Sequence, residues 1–164
     1  NNHSKACNYI FNKLLKNKKS TTLLLQRYFK KAISVSILGQ YKASSLDILH
    51  RKSILYINNI SSPIIYAECN INTKMLPINI TQLLLTTSKP IGGILIERFG
   101  TCSISKKNIT ITNSYTRHLN TSTNDFIKCK KYEILLFEKK IGVIKEYFST
   151  VSINNNLNLK FKGN

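Results

Sequence analysis

Residues 131–149 read KYEILLFEKKIGVIKEYFS, two apolar-rich runs around a charged centre, and this stretch reads as a β-hairpin. Lys131 to Phe137 makes one strand and Ile141 to Ser149 the other, joined across Glu138-Lys139-Lys140. Counting by twos, Gly142, Ile144, Glu146 and Phe148 share one face, and Val143, Lys145 and Tyr147 share the other. A carboxylate on an apolar face must be paired, hydrogen-bonded or protonated, because burying it bare is costly. Such placements are enriched at functional sites. Alternation alone does not say which face points inward. If Val143 and Tyr147 mark the core side, Glu146 is an ordinary surface acid near lysine. Glu133, on a face with Leu135 and Phe137, is a weaker candidate.

Upstream, Tyr9, Ile10, Leu14 and Leu15 recur at helical spacing, giving an amphipathic helix that ends near Lys18. Ser20-Thr21-Thr22 supplies N-cap candidates for a second helix through Leu23, Leu24, Leu25 and Tyr28. Ala32 to Gln40 alternates as a half-buried strand, with Ile33, Val35 and Ile37 on one face. Leu49 to Ile57 is a second strand. Asn58 to Pro63 forms a turn, and Ile64 to Ile71 forms a third strand with Ile65, Ala67, Cys69 and Ile71 on one face. Leu76 to Thr87 has helical spacing, with Pro77 in its first turn. Pro90-Ile91-Gly92-Gly93 then reads as a break leading into a strand from Ile94 to Phe99. Ser105 to Thr112 is another strand, Asn113 to Asn124 a loop, and Val151 to Asn164 a frayed, Asn-rich tail. Helices first and strands after suit an α+β domain, an antiparallel sheet with helices packed on one face.

The composition admits one domain: 164 residues, 42% of them hydrophobic, with no apolar run of the roughly 18 residues a membrane span needs. The start has lysines scattered through it and does not read as a secretory signal. The net charge of +18 comes from 25 Lys and Arg against 7 acids, with Arg27, Arg51, Arg98 and Arg117 the only arginines. Such an excess attracts polyanions. The lysines are nevertheless spread in ones and twos beside abundant Asn and Ile, as AT-rich coding favours. Composition is therefore the preferred reading, and a selected nucleic-acid surface the lesser one. The four cysteines, Cys7, Cys69, Cys102 and Cys129, lie far apart, and His3, His50 and His118 supply no close pair. No metal site is expected, and the thiols read as free.

The chain carries no phosphate loop, no H-E-x-x-H and no G-x-S-x-G elbow. Arg51 is the other residue that draws notice. It lies inside a strand with Leu49, Leu55 and Ile57 on its face, where it either snorkels to water or forms a two-pronged carboxylate clamp.

The order of these features carries a resemblance. A Ser20-Thr21-Thr22 helix start precedes the strand Ile33 to Gln40 and the Arg51 strand. Pro63 with Ala67, Leu76-Pro77, Pro90-Ile91-Gly92 and a terminal hairpin bearing Glu146-Tyr147-Phe148 follow. Over about Ser20 to Thr150 the chain resembles the chorismate pyruvate-lyase family, in particular a small branch encoded in algal plastid genomes. The resemblance implies residues 1–19 as an extension, 20–150 as the domain and 151–164 as a flexible tail. It also implies a monomer in the plastid stroma and an enclosed pocket for a small aromatic acid. In the family's lyase, chorismate is cleaved to 4-hydroxybenzoate and pyruvate without metal or organic cofactor. By position, Arg51 would hold the ring carboxylate and Glu146 the ring hydroxyl, Thr21 would touch the carboxylate, and Ala67 and Ile91 would line the pocket. The alternative within the same fold is a non-catalytic sensor of small aromatic acids. The chain departs from the pattern in a longer spacing from Arg51 to Pro63, in Ala67 where Gly is usual, and in Lys106-Lys107 where an Arg is usual.

Overall fold

The computed structural model describes residues 2–43, 46–58, 62–119 and 126–162. Helix α1 (Asn2–Lys16) and helix α2 (Thr21–Phe29) open the chain. Ser20 caps α2 by accepting from the Leu23 amide at 3.2 Å, as its sequence position suggests. Strands β1 (Ile33–Ala43), β2 (Ile48–Ile57) and β3 (Pro63–Asn72) follow, then helices α3 (Ile78–Thr86) and α4 (Ile91–Phe99). Strand β4 (Ile104–Ser114), the hairpin β5 (Ile127–Leu136) and β6 (Lys139–Ser149), and helix α5 (Thr150–Lys162) complete it. The strands form one antiparallel sheet in the order β1-β2-β3-β6-β5-β4. The main core lies between one face of this sheet and helices α1 to α5. The α+β architecture read from element order is the one the chain adopts. The turn positions 59–61 and the loop positions 120–125, Asp125 included, lie outside the described residues.

Three expectations are corrected. Ile94 to Phe99 is not a strand: Pro90 ends one segment and starts α4, whose buried Ile91, Ile94 and Leu95 fall at helical spacing. Up to Lys162, the segment from Val151 is not frayed: it forms most of α5, with Ile153 and Leu157 fully buried. Ser149 and Ser152 start that helix by exchanging side chain–backbone hydrogen bonds of 2.9 and 3.0 Å, a reciprocal cap. Ser152 Oγ also donates to the Ile64 carbonyl at 3.1 Å, which ties α5 to β3. Third, the hairpin turn is tighter than Glu138-Lys139-Lys140. It is the two residues Phe137 and Glu138, both at positive φ (47° and 66°), as a twist-matched two-residue turn requires.

A β-bulge between Ile37 and Gly39 inserts one extra residue into β1. It inverts the alternation, so that Ile37 sits opposite Ser53 but Gln40 sits opposite Arg51. Gln40 is thereby turned toward the helix side and Tyr41 away from it. At the other crossing, a Cβ on Gly142 would run into the Asn70 carbonyl, so the close approach of β6 to β3 requires glycine there.

Candidate functional site

Sheet register settles which face Glu146 occupies. One row across the helix-covered face runs Gln40, Arg51, Cys69, Ile144 and Tyr132, and the next runs Ile37, Ser53, Ala67, Glu146 and Lys130. Arg51 and Glu146 therefore point to the same side, two strands and two residues apart, about 12 Å between Cα atoms by standard sheet spacings. Both are buried, at 2% and 5% exposure. Glu133, by contrast, lies on the opposite face, where Asn108 donates to it at 2.8 Å and Lys140 lies 3.8 Å away.

Between this face and the helices is a cavity of about 50 Å³. Arg51, Glu146, Thr21, Ala67 and Ile91 all line it, so the five residues singled out by sequence come together in one place. The first-turn residues of two helices close it, Thr21 and Thr22 from α2 and Ile91 and Gly92 from α4. A Cβ on Gly92 would meet Ser20 Oγ at 3.2 Å and Thr22 Oγ1 at 3.4 Å, so this glycine lets the two helix starts pack closely. Neither Pro90 nor any other side chain caps α4. The positive ends of both helix dipoles consequently face the cavity.

The charged groups are arranged unevenly. Arg51 donates from Nε to Gln40 Oε1 (2.7 Å), from Nη1 to the Lys89 carbonyl (2.8 Å) and from Nη2 to the Leu84 carbonyl (2.7 Å). Those bonds use three of its five N–H groups and hold the end of α3 and the start of α4 against β2. Burial pulls its pKa down, and no carboxylate pairs with it among the described residues.

Glu146 is held differently. Thr21 Oγ1 donates to Glu146 Oε1 at 2.9 Å, and Lys106 Nζ lies 3.6 Å from the same oxygen while donating to Thr21 Oγ1 at 2.6 Å. Thr21 thus acts here through its hydroxyl, between ammonium and carboxylate. Lys106 also sits 4.4 Å above the Tyr132 ring. Burial lowers the Lys106 pKa and Glu146 opposes that shift; burial, then Glu146, raises that of Tyr132. Burial likewise pushes the Cys69 thiol up to about 12, so it stays protonated. Behind the cavity, Lys130 is fully buried and donates to the carbonyls of Leu14 and Asn17, 2.7 Å each, at the end of α1.

Sequence reasoning noted Lys106 only as a departure from a pattern and missed Lys130 altogether. A signal for both existed. Lys106 has the parity of Ile104, and Lys130 that of Tyr132 and Ile134, all buried. In so lysine-rich a chain that parity is easily passed over.

No protein-family model matches the sequence, and no curated protein matches it. Solved structures do. The effector domain of PhnF from Mycobacterium smegmatis superposes with a TM-score of 0.55 at 10% identity, covering 80% of this chain and 88% of that one. The possible transcriptional regulator YydK from Bacillus subtilis gives 0.52 at 10% identity, over 92% and 96%. At such identities the likeness shows the fold. The chain is an α+β domain of the chorismate-lyase-like fold, the architecture it shares with the PhnF effector domain and with YydK.

Proposed function

We propose that the domain binds a small carboxylate-bearing molecule in the cavity between Arg51, Lys106 and the starts of α2 and α4. The observation that carries this is the local charge. Two buried cations face one carboxylate, and two helix N-termini add positive potential in a water-poor space. The effector-domain neighbours support a binding role as well. Binding is favoured over turnover because the main groups are already engaged: Arg51 with three protein acceptors, and Glu146 with Thr21 and Lys106. Size points the same way. About 50 Å³ is well below the roughly 150 Å³ of a cavity that takes benzene, so an aromatic acid enters only if the helix starts move apart.

The test is a thermal-shift and calorimetric titration with acetate, pyruvate, benzoate and 4-hydroxybenzoate at constant ionic strength. A ligand at a hundred times its Kd adds about 2.7 kcal/mol to stability, a shift of several degrees. Glu146→Gln removes the opposing charge and is expected to tighten carboxylate binding severalfold, while Lys106→Met weakens it. No shift with any acid, or equal binding by Lys106→Met, overturns the reading.

Chorismate lyase activity is the second reading, favoured by Arg51 and Glu146 sharing one cavity. It is tested by pyruvate release from chorismate, which Arg51→Ala and Glu146→Ala are then expected to abolish.

A further inference from the structure

The face of the sheet opposite the α-helices, covered at one end by a short 3-10 turn (Arg117–Leu119), has its own pattern, visible only once strands are placed in register. One row across it runs Gly39, Lys52, Glu68, Lys145 and Lys131. Its three ammoniums span about 14 Å at standard strand spacing. Glu68 is the only acid in that row, and its Oε1 accepts the Tyr66 hydroxyl at 2.9 Å. None of the three lysines lies within ion-pair distance of a carboxylate among the described residues.

The neighbouring row carries Tyr41 and His50, whose rings stack at 4.7 Å. His50 Nδ1 is hydrogen-bonded to Asn70 Oδ1, which fixes the imidazole, and Tyr41 is 64% exposed. On the other side of the lysine row, Tyr66 and Tyr147 lie 5.3 Å apart, but Tyr66 is buried beneath His118 and Leu119, so the open aromatic surface is on the Tyr41 side. Tyr41, His50, Lys52, Glu68, Asn70 and Lys145 line a cleft of about 280 Å³, more than five times the volume of the cavity on the helix side. The β1 bulge places Tyr41 here: unbroken alternation from Ile37 would point it into the helix-covered face.

An exposed, fixed aromatic plane beside a line of unpaired ammoniums matches one chemistry, a flat base attached to phosphate. A free nucleotide would use only the cleft. The lysine row runs past it to Lys131 on β5, and the chain's +18 charge adds long-range attraction. We infer that this sheet face binds single-stranded nucleic acid, with a base stacked on Tyr41 and the backbone following Lys52, Lys145 and Lys131.

The experiment is anisotropy of a short labelled oligouridylate titrated with the full chain between 50 and 200 mM KCl. Unlabelled uridine monophosphate and heparin serve as competitors. Tyr41→Ala is expected to weaken binding roughly tenfold with the salt dependence unchanged, and Tyr41→Phe to restore it. Lys52→Gln, Lys131→Gln and Lys145→Gln together are expected to reduce the slope of log K against log salt by about 2. The comparison is Lys5→Gln, Lys13→Gln and Lys16→Gln on α1, which removes the same charge elsewhere. Circular dichroism melts of each variant establish that the fold is kept. If the α1 set costs as much as the sheet set, or Tyr41→Ala binds like wild type, the attraction is diffuse and the inference is overturned. Equal affinity for the mononucleotide refutes a strand as the ligand.

Discussion

Lys130 is the residue whose protonation the fold disturbs in the most measurable way. Burial first, then the nearby Lys106, lowers its pKa from 10.5 to about 8, against an opposing effect of Glu146. Its folded value lies below the unfolded one, so between those values the unfolded chain holds a proton that the folded protein has released. Stability attributable to this group therefore rises with pH through that window. Integrated from pH 7 to 9.5, the proton difference amounts to about 2 kcal/mol. The neutral amine can still donate to the Leu14 and Asn17 carbonyls, so deprotonation need not undock α1. In Lys130→Met the titration is gone. Urea denaturation of both proteins, followed by circular dichroism at several pH values, should show the wild type gaining about 2 kcal/mol on the variant between pH 7 and 9.5. A stability difference between wild type and Lys130→Met that stays flat over this range would refute the reasoning, because it would mean that Lys130 titrates as a solvated lysine.

Arg51→Met should cost about 2–4 kcal/mol by leaving the carbonyls of Leu84 and Lys89 without their charged donor. Arg51→Lys should recover less than half of that, since one ammonium cannot reproduce the fork; calorimetric melts of both variants measure it. Leu157→Ala should destabilise by about 2–5 kcal/mol in urea titrations, whereas a loose tail would show no change. Gln40→Ala should leave Arg51 Nε without its acceptor and cost about 1–3 kcal/mol. Leu38→Ala, at the exposed bulge position two residues before it, should stay within about 0.5 kcal/mol, and the same denaturation assay compares the two.

The fold class was legible because α1 and α2 keep helical spacing and the strand segments follow them in order, with Ile33, Val35 and Ile37 alternating at the start of β1. What failed were segments whose local signals are weak or double-edged. Ile91 to Phe99 is a short apolar run with two glycines, which suits a buried strand or a buried helix equally well until Pro90 is read as a start rather than a stop. The start of α5 is poor in helix propensity, with Asn154, Asn155 and Asn156 in a row. It is held by tertiary contacts: Ile153 and Leu157 in the core, and Asn156 donating to Ser62 Oγ at 3.3 Å. Both errors bear on function, since reading α4 as a strand deprives the cavity of one of its two helix starts.

The site residues were legible to the extent that an unlike residue stands out from its neighbours. Arg51 and Glu146 are conspicuous in a chain with four arginines and seven acids, and parity alone placed each on a candidate inner face. The same reasoning failed for Lys106 and Lys130, since a lysine among so many draws no notice. Their significance arises across strands. Lys130 stands opposite Glu146 in the β5–β6 ladder, and Lys106 reaches Glu146 from β4 through Thr21 of α2. A single sequence does not state register, and shifting either ladder by one residue would send these ammoniums to the other face. Register therefore decides the sign of the site: a lone carboxylate beside an arginine becomes a carboxylate outnumbered by buried cations, the charge balance on which the proposed binding of an anion rests.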